Sequence, residues 1–100
     1  MTAEELLAMA AERVEAGWCQ GTYAQESGKK VCLFGALTWG NEEYDKPSFR
    51  QAWDAVKLEI GGPTTSPVSW NDTPGRTAIE VSTVLRNAKR WLLEETSYVG

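Results

Sequence analysis

The chain contains no histidine. That absence excludes the Cys–His and Ser–His hydrolases, because a thiol or hydroxyl nucleophile then lacks the base that activates it. Cysteine is almost as scarce, with only Cys19 and Cys32. Structural zinc takes four ligands from Cys and His, so no metal site is expected. In a reducing compartment both thiols are expected to be free, with a reversible Cys19–Cys32 disulfide open only if the chain folds them together. The nine glycines form neither a G-x-x-x-x-G-K-[ST] nor a G-x-G-x-x-G phosphate-binding signature, and no cofactor is expected. No apolar run approaches the roughly 20 residues a membrane span needs. Basic residues are outnumbered, ten Lys and Arg against 14 Asp and Glu, for a net charge of −4. That balance disfavours nucleic acid and anionic membranes as partners. The opening Met-Thr-Ala-Glu-Glu is acidic, where a secretory signal would be basic and then apolar. The expected location is the cytoplasm.

What the chain does have is the material for one small core. Its 100 residues and 42% hydrophobic content suit a single helical domain over 1–100. A helix is predicted over 3–16, capped by a Thr2/Glu5 box, with Leu6, Leu7, Ala10 and Val14 on one face. Gly17 is expected to stop it in a positive-φ conformation. The segment 18–30 is irregular, with a turn over 25–30. Val31 and Cys32 are expected to pair back on Thr22 and Tyr23 as a small hairpin. A short helix over 32–39 follows, with Leu33, Ala36 and Leu37 inward, ended by Gly40-Asn41. After a polar connection over 42–47, a second long helix is expected to be capped by Ser48 and Gln51. It carries Phe49, Ala52, Trp53, Val56 and Ile60 inward and stops at Gly61-Gly62-Pro63. The stretch 61–69 reads as a surface loop. The third long helix runs over 78–95 behind a Thr77/Glu80 capping box, with Ala78, Val81, Leu85, Ala88 and Leu92 as its stripe. Ile79, Val84 and Trp91 broaden that stripe, and 97–100 are expected to fray. The fold class is therefore mainly α: three long helices, one short helix and a hairpin between the first two.

The densest chemistry lies in Trp70-Asn71-Asp72-Thr73-Pro74-Gly75-Arg76-Thr77, just before the third long helix. Asn71, Asp72 and Arg76 offer an amide, a carboxylate and a guanidinium to one ligand. The plainer alternative is an Asx-turn and helix-start carboxylate, with Arg76 paired to Asp72 or Glu80 or stacked on Trp70. Trp70, Asn71, Asp72, Arg76, Trp18 and Gln20 are the candidate binding residues. No catalytic residue is assigned. Cys32, at a helix start, is the one place for thiolate character, although such a cysteine is usually a small buried apolar group. The five tryptophans are read mainly as core mass, with one or two at an interface. Glu42/Glu43 and Glu94/Glu95 read as solvated pairs. Arg86, Lys89 and Arg90 are the only basic cluster on a helix and read chiefly as a solvated face.

Three motifs occur in order: Gly17-Trp18-Cys19-Gln20-Gly21, Cys32-Leu33-Phe34-Gly35-Ala36-Leu37, and Trp70-Asn71-Asp72 with Gly75-Arg76-Thr77 and Glu80-Val81. In this combination the chain resembles a family of small uncharacterised proteins of actinobacteria and their bacteriophages. The resemblance implies a phage or host source and carries over no catalytic residue. Small phage accessory proteins often bind host proteins. The leading expectation is accordingly a non-enzymatic, cytosolic protein-interaction module acting on a host protein. One alternative is a small-molecule binder or cysteine-dependent enzyme with a pocket around Cys32 and Asp72. The other is a weak nucleic-acid binder using Arg86, Lys89 and Arg90. Oligomeric state is left open.

Overall fold

The computed structural model describes residues 1–40 and 46–99. Helix α1, Ala3–Ala16, starts as its sequence dictates: the Glu5 N–H donates to Thr2 Oγ1 at 3.1 Å and the Thr2 N–H to Glu5 Oε1 at 3.0 Å. Its buried face is Ala3, Leu6, Leu7, Ala10, Ala11 and Val14. Three alanines among six residues leave room for close approach by other helices, and α1 is the element around which the rest packs. Gly17 ends α1 differently from expectation. Its φ of −179° is extended backbone, so no left-handed conformation is involved. The chain leaves α1 as an extended segment that bridges Val31, with the Val31 N–H bonded to Gly17 O and the Cys19 N–H to Val31 O, each at 3.1 Å. Gly17 is required there by space, since a Cβ would overlap the Lys29 carbonyl.

Strands β1 (Ala24–Gln25) and β2 (Lys30–Val31) form the expected antiparallel hairpin, joined by a 3₁₀ turn over Glu26–Gly28. Cys32 meets Tyr23 as expected, its N–H bonded to Tyr23 O at 3.1 Å, whereas Val31 pairs with Ala24 and Lys30 with Gln25. The turn is tighter than a six-residue loop, with Glu26, Ser27 and Gly28 all at positive φ, so pairing begins closer to it. Helix α2, Leu33–Thr38, has Cys32 and Trp39 as its caps. Helix α3, Pro47–Ile60, begins one residue before the expected Ser48 cap. Lys46 is the N-cap and makes no side-chain bond. Proline at the first helical position needs no such help, because its φ is preset and its missing N–H is one no helix would use. The expected polar connection over 42–47 and the stop at Asn41 fall mostly outside the described residues.

The stretch expected to be loop over 61–69 contains a helix, α4, Pro67–Asn71. Ser66 caps it by accepting from the Ser69 N–H at 3.2 Å, and Pro67 is again at the first turn. Five residues are too few to show a helical period. Trp70 and Asn71 are therefore helical, and Asp72 is the C-cap. The last helix, α5, spans Ala78–Val99, through the residues expected to fray. The Thr77/Glu80 capping box is present in both directions at 3.2 Å.

The core is built of aliphatic residues from α1, α2, α3 and α5: Leu6, Leu7, Val14, Leu33, Leu37, Val56, Val81 and Leu85, filled in by alanines. None of the tryptophans belongs to the fully buried set. Trp18, Trp53 and Trp70 are half-buried against it, and Trp39 and Trp91 are exposed. Alanine-lined helices pack too closely to admit an indole between them, so the large rings lie around the edge. Ile79, expected to widen the inward stripe of α5, is 78% exposed, because it projects away from Val81 and Leu85. Among the described residues the molecule is three long helices, two short ones and a hairpin between α1 and α2. None of these helices is long and apolar enough to cross a membrane.

Candidate functional site

Asn71 is the node that brings the sequence motifs together. It is fully buried at the end of α4. Its Oδ1 accepts from the Trp18 indole Nε1–H at 2.8 Å and from the Leu33 N–H at 3.0 Å. Its Nδ2 donates to Cys19 O at 3.2 Å and to Asp72 Oδ1 at 3.0 Å. Two donors face the oxygen and two acceptors face the nitrogen, so the amide has one satisfactory orientation and its bonding capacity is used up. Gln20 Nε2 donates to the carbonyls of Asn71 and Thr73, each at 3.0 Å, and the Gly21 N–H donates to Asp72 Oδ1 at 3.0 Å. Residues more than fifty positions apart in the chain thus close into one hydrogen-bonded unit.

That unit also builds α2. A helix of six residues does not hold by itself, and its end groups need partners. The Leu33 N–H finds Asn71 Oδ1, and the Gly35 N–H finds Cys32 Sγ at 3.4 Å. At the other end Arg13 Nη1 donates to the carbonyls of Trp39 at 2.7 Å and Ala36 at 3.3 Å. Gly35 lies against the Tyr23 carbonyl so closely that a Cβ would overlap it.

The candidate residues divide accordingly. Trp18, Gln20, Asn71 and Asp72 converge as one cluster. Trp70 and Arg76 form a separate one: Arg76 Cζ lies 3.9 Å over the Trp70 ring, its Nε–H donates to Trp70 O at 3.0 Å, and its Nη1 pairs with Glu80 Oε2 at 2.9 Å. Arg76 therefore takes the stacking and Glu80 options, and Asp72 is bonded elsewhere. Those hydrogen bonds from Arg76 and Thr77 hold the Glu80 carboxyl below the usual range.

Both cysteines are buried and free. Burial pushes the Cys19 thiol up, reinforced by neighbouring Cys32 and Asp72. Burial likewise pushes Cys32 up, against the opposing bonds from the Gly35 and Phe34 N–H groups. A thiol with a raised pKa is mostly protonated at neutral pH, which opposes use as a nucleophile. Cys32 nevertheless helps to line an open cleft of about 390 Å³, together with Gly21, Thr22, Tyr23, Val68 and Asp72. Cys32 and Asp72, which the small-molecule alternative placed around one pocket, both line this cleft.

A second concavity, absent from the expectations, is a groove of about 580 Å³ between α3 and α5. Its walls are Ala55, Leu58, Trp91 and Leu92, with Gln51, Asp54 and Glu94 also lining it. Leu58 is 53% exposed and Trp91 48%. Trp91 is held in place by Nε1–H donation to Glu59 Oε2 at 2.7 Å, and Glu59 also receives Asn87 at 3.1 Å. The groove escapes the sequence reading: Trp91 is expected there to widen the inward stripe of α5, and Leu58 lies on the face of α3 opposite the Phe49, Ala52, Trp53, Val56 and Ile60 stripe. The basic cluster on α5 is partly spent, since Arg86 grips Glu15 of α1 with Nη2 and Nε at 2.6 and 3.3 Å.

The chain belongs to a family of unknown function, DUF6197, whose model matches residues 1–90. No curated protein and no solved structure matches it.

Proposed function

We propose that the chain is a non-enzymatic protein-interaction module that uses the α3–α5 groove as its contact surface. The observation that carries this reading is the pairing of exposed Leu58 with exposed, oriented Trp91 across an apolar groove. An indole held by a hydrogen bond at its polar edge offers its flat face at little entropic cost, which is the usual chemistry of an interface anchor. Asp54 and Glu94 flank the groove, and the adjoining hollow, which shares Glu94, adds Glu59 against Arg90, the single cation among its described residues. The matching partner surface is a basic amphipathic helix, its apolar side chains entering between α3 and α5 and its lysines or arginines meeting the acidic rim. The motif resemblance to phage and actinobacterial proteins supports a bacteriophage accessory role on a host protein in the cytoplasm.

The test is a titration of the ¹⁵N-labelled protein with a synthetic Leu/Lys amphipathic helical peptide, beside a scrambled peptide of the same composition. Saturable shifts at Gln51, Asp54, Leu58, Trp91 and Glu94, lost in Leu58→Glu and Trp91→Ala, are expected. Equal shifts from the scrambled peptide, or none from either, overturn the reading. The nucleic-acid alternative rests on Lys89 and Arg90, since Arg86 is already paired with Glu15.

A further inference from the structure

We infer that the cleft beside α4 binds a small organic ammonium ion, at a site independent of the protein-binding groove. The cleft, about 390 Å³, is of small-molecule size and is lined by Gly21, Thr22, Tyr23, Cys32, Val68 and Asp72. Among the described residues, Asp72 is the only formal charge in that lining. Its Oδ1 is tied down by the Gly21 N–H and the Asn71 amide, each at 3.0 Å. Its Oδ2 receives no hydrogen bond among the described residues. A carboxylate accepts at both oxygens, so one oxygen is fixed by the fold and the other is left for a donor.

The other walls select what carries that donor. Val68, Cys32 and Tyr23 complete the lining with residues whose carbon atoms suit a short alkyl or aryl group. Tyr23 is braced by Phe34 at 4.9 Å between ring centroids, and Phe34 in turn packs on Phe49 and Trp53 at 6.0 and 5.4 Å. Tyr23, 57% exposed, is thereby anchored to α2 and α3. An anion would meet Asp72 and no compensating base in the lining. A bare divalent cation wants six or so oxygen ligands, and no group of three or more metal-ligating Cys, Asp or Glu side chains exists among the described residues.

The experiment is a titration of the ¹⁵N-labelled full chain with n-butylammonium chloride, beside n-butanol and sodium butyrate at matched ionic strength. Saturable shifts of the Gly21, Cys32 and Asp72 amides are expected from butylammonium alone. Asp72→Asn, which keeps an acceptor oxygen for the Gly21 N–H, is expected to abolish them. Tyr23→Ala, at a lining residue that is 57% exposed and outside the core cluster, is expected to weaken binding at least five-fold. Tyr23→Ala decides the matter if Asp72→Asn does not fold. Equal shifts from butanol, linear shifts without saturation, or binding unaffected by these substitutions overturn the inference. So do shifts confined to the α3–α5 groove, which would leave the groove reading intact and remove this one.

Discussion

At the scale of single residues, Asn71 carries more of the structure than any other polar side chain. Replacing it by alanine strands the buried Leu33 N–H, the Trp18 indole N–H and the Cys19 carbonyl. Leaving such groups without partners is expected to lower stability by about 3 kcal/mol or more, read from urea denaturation. Asn71→Asp is expected to be no milder, because it turns an acceptor toward Cys19 O and Asp72 Oδ1. The thiols provide a second prediction. Their pKa values are raised by folding, so the neutral form is favoured in the native state. The stabilisation is full below the unfolded thiol pKa of about 8.5 and disappears as pH climbs through the folded value. Denaturation midpoints should fall above that pH, and less steeply in Cys19→Ala. Iodoacetamide at neutral pH should label both cysteines more slowly than it labels a free thiol.

At the scale of elements, the short helices depend on distant groups and the long ones largely do not. Thr77 and Glu80 start α5 locally, and Thr77→Ala is expected to cost about 1 kcal/mol. The Glu80 carboxyl is held low in the fold, so its contribution is present above its unfolded pKa of about 4.3 and is lost as pH falls through the folded value. Glu80→Gln should flatten the acid limb of the stability profile. Gly35→Ala sets two effects against each other. Alanine is the better helix residue by about 1 kcal/mol, but its Cβ would overlap the Tyr23 carbonyl, and such overpacking costs roughly 1–3 kcal/mol. The collision involves backbone, which yields poorly, so net destabilisation is expected. It should appear as faster hydrogen exchange in α2 and β1 before α1 or α5.

At the scale of the whole molecule, α1 contacts α2, α3, β2 and α5, so the helices and hairpin share one core. Ala10→Leu is expected to loosen all of them together, because an overfilled alanine contact between long helices has nowhere local to relax. Thermal unfolding followed by far-UV dichroism and by tryptophan fluorescence should shift to a lower midpoint with the two probes still coincident. The groove variants should behave oppositely. Leu58→Glu and Trp91→Ala alter exposed side chains, so they are expected to change peptide binding while moving the unfolding midpoint little.

Helix positions at 3–16 and from 78 onward, and their capping boxes, were legible in the sequence alone, because hydrophobic period and cap chemistry act within a few residues. The mainly α class and the presence of a hairpin were legible for the same reason. The sequence marked Trp18, Gln20, Trp70, Asn71, Asp72 and Arg76 as candidate binding residues, with a structural alternative beside the ligand one, but not their partners. Only the tertiary structure decided that the motifs 17–21, 32–37 and 70–72 are one hydrogen-bonded unit, since each polar group's partner lies in another segment of the chain. The same holds for α4, too short to show a period, and for the extended Gly17, whose conformation answers to Lys29. It holds for Ile79 and the tryptophans, whose burial depends on how closely alanine-lined helices approach. The cleft at Asp72 and the groove at Trp91 lie between elements, and a space between elements exists only after they have packed.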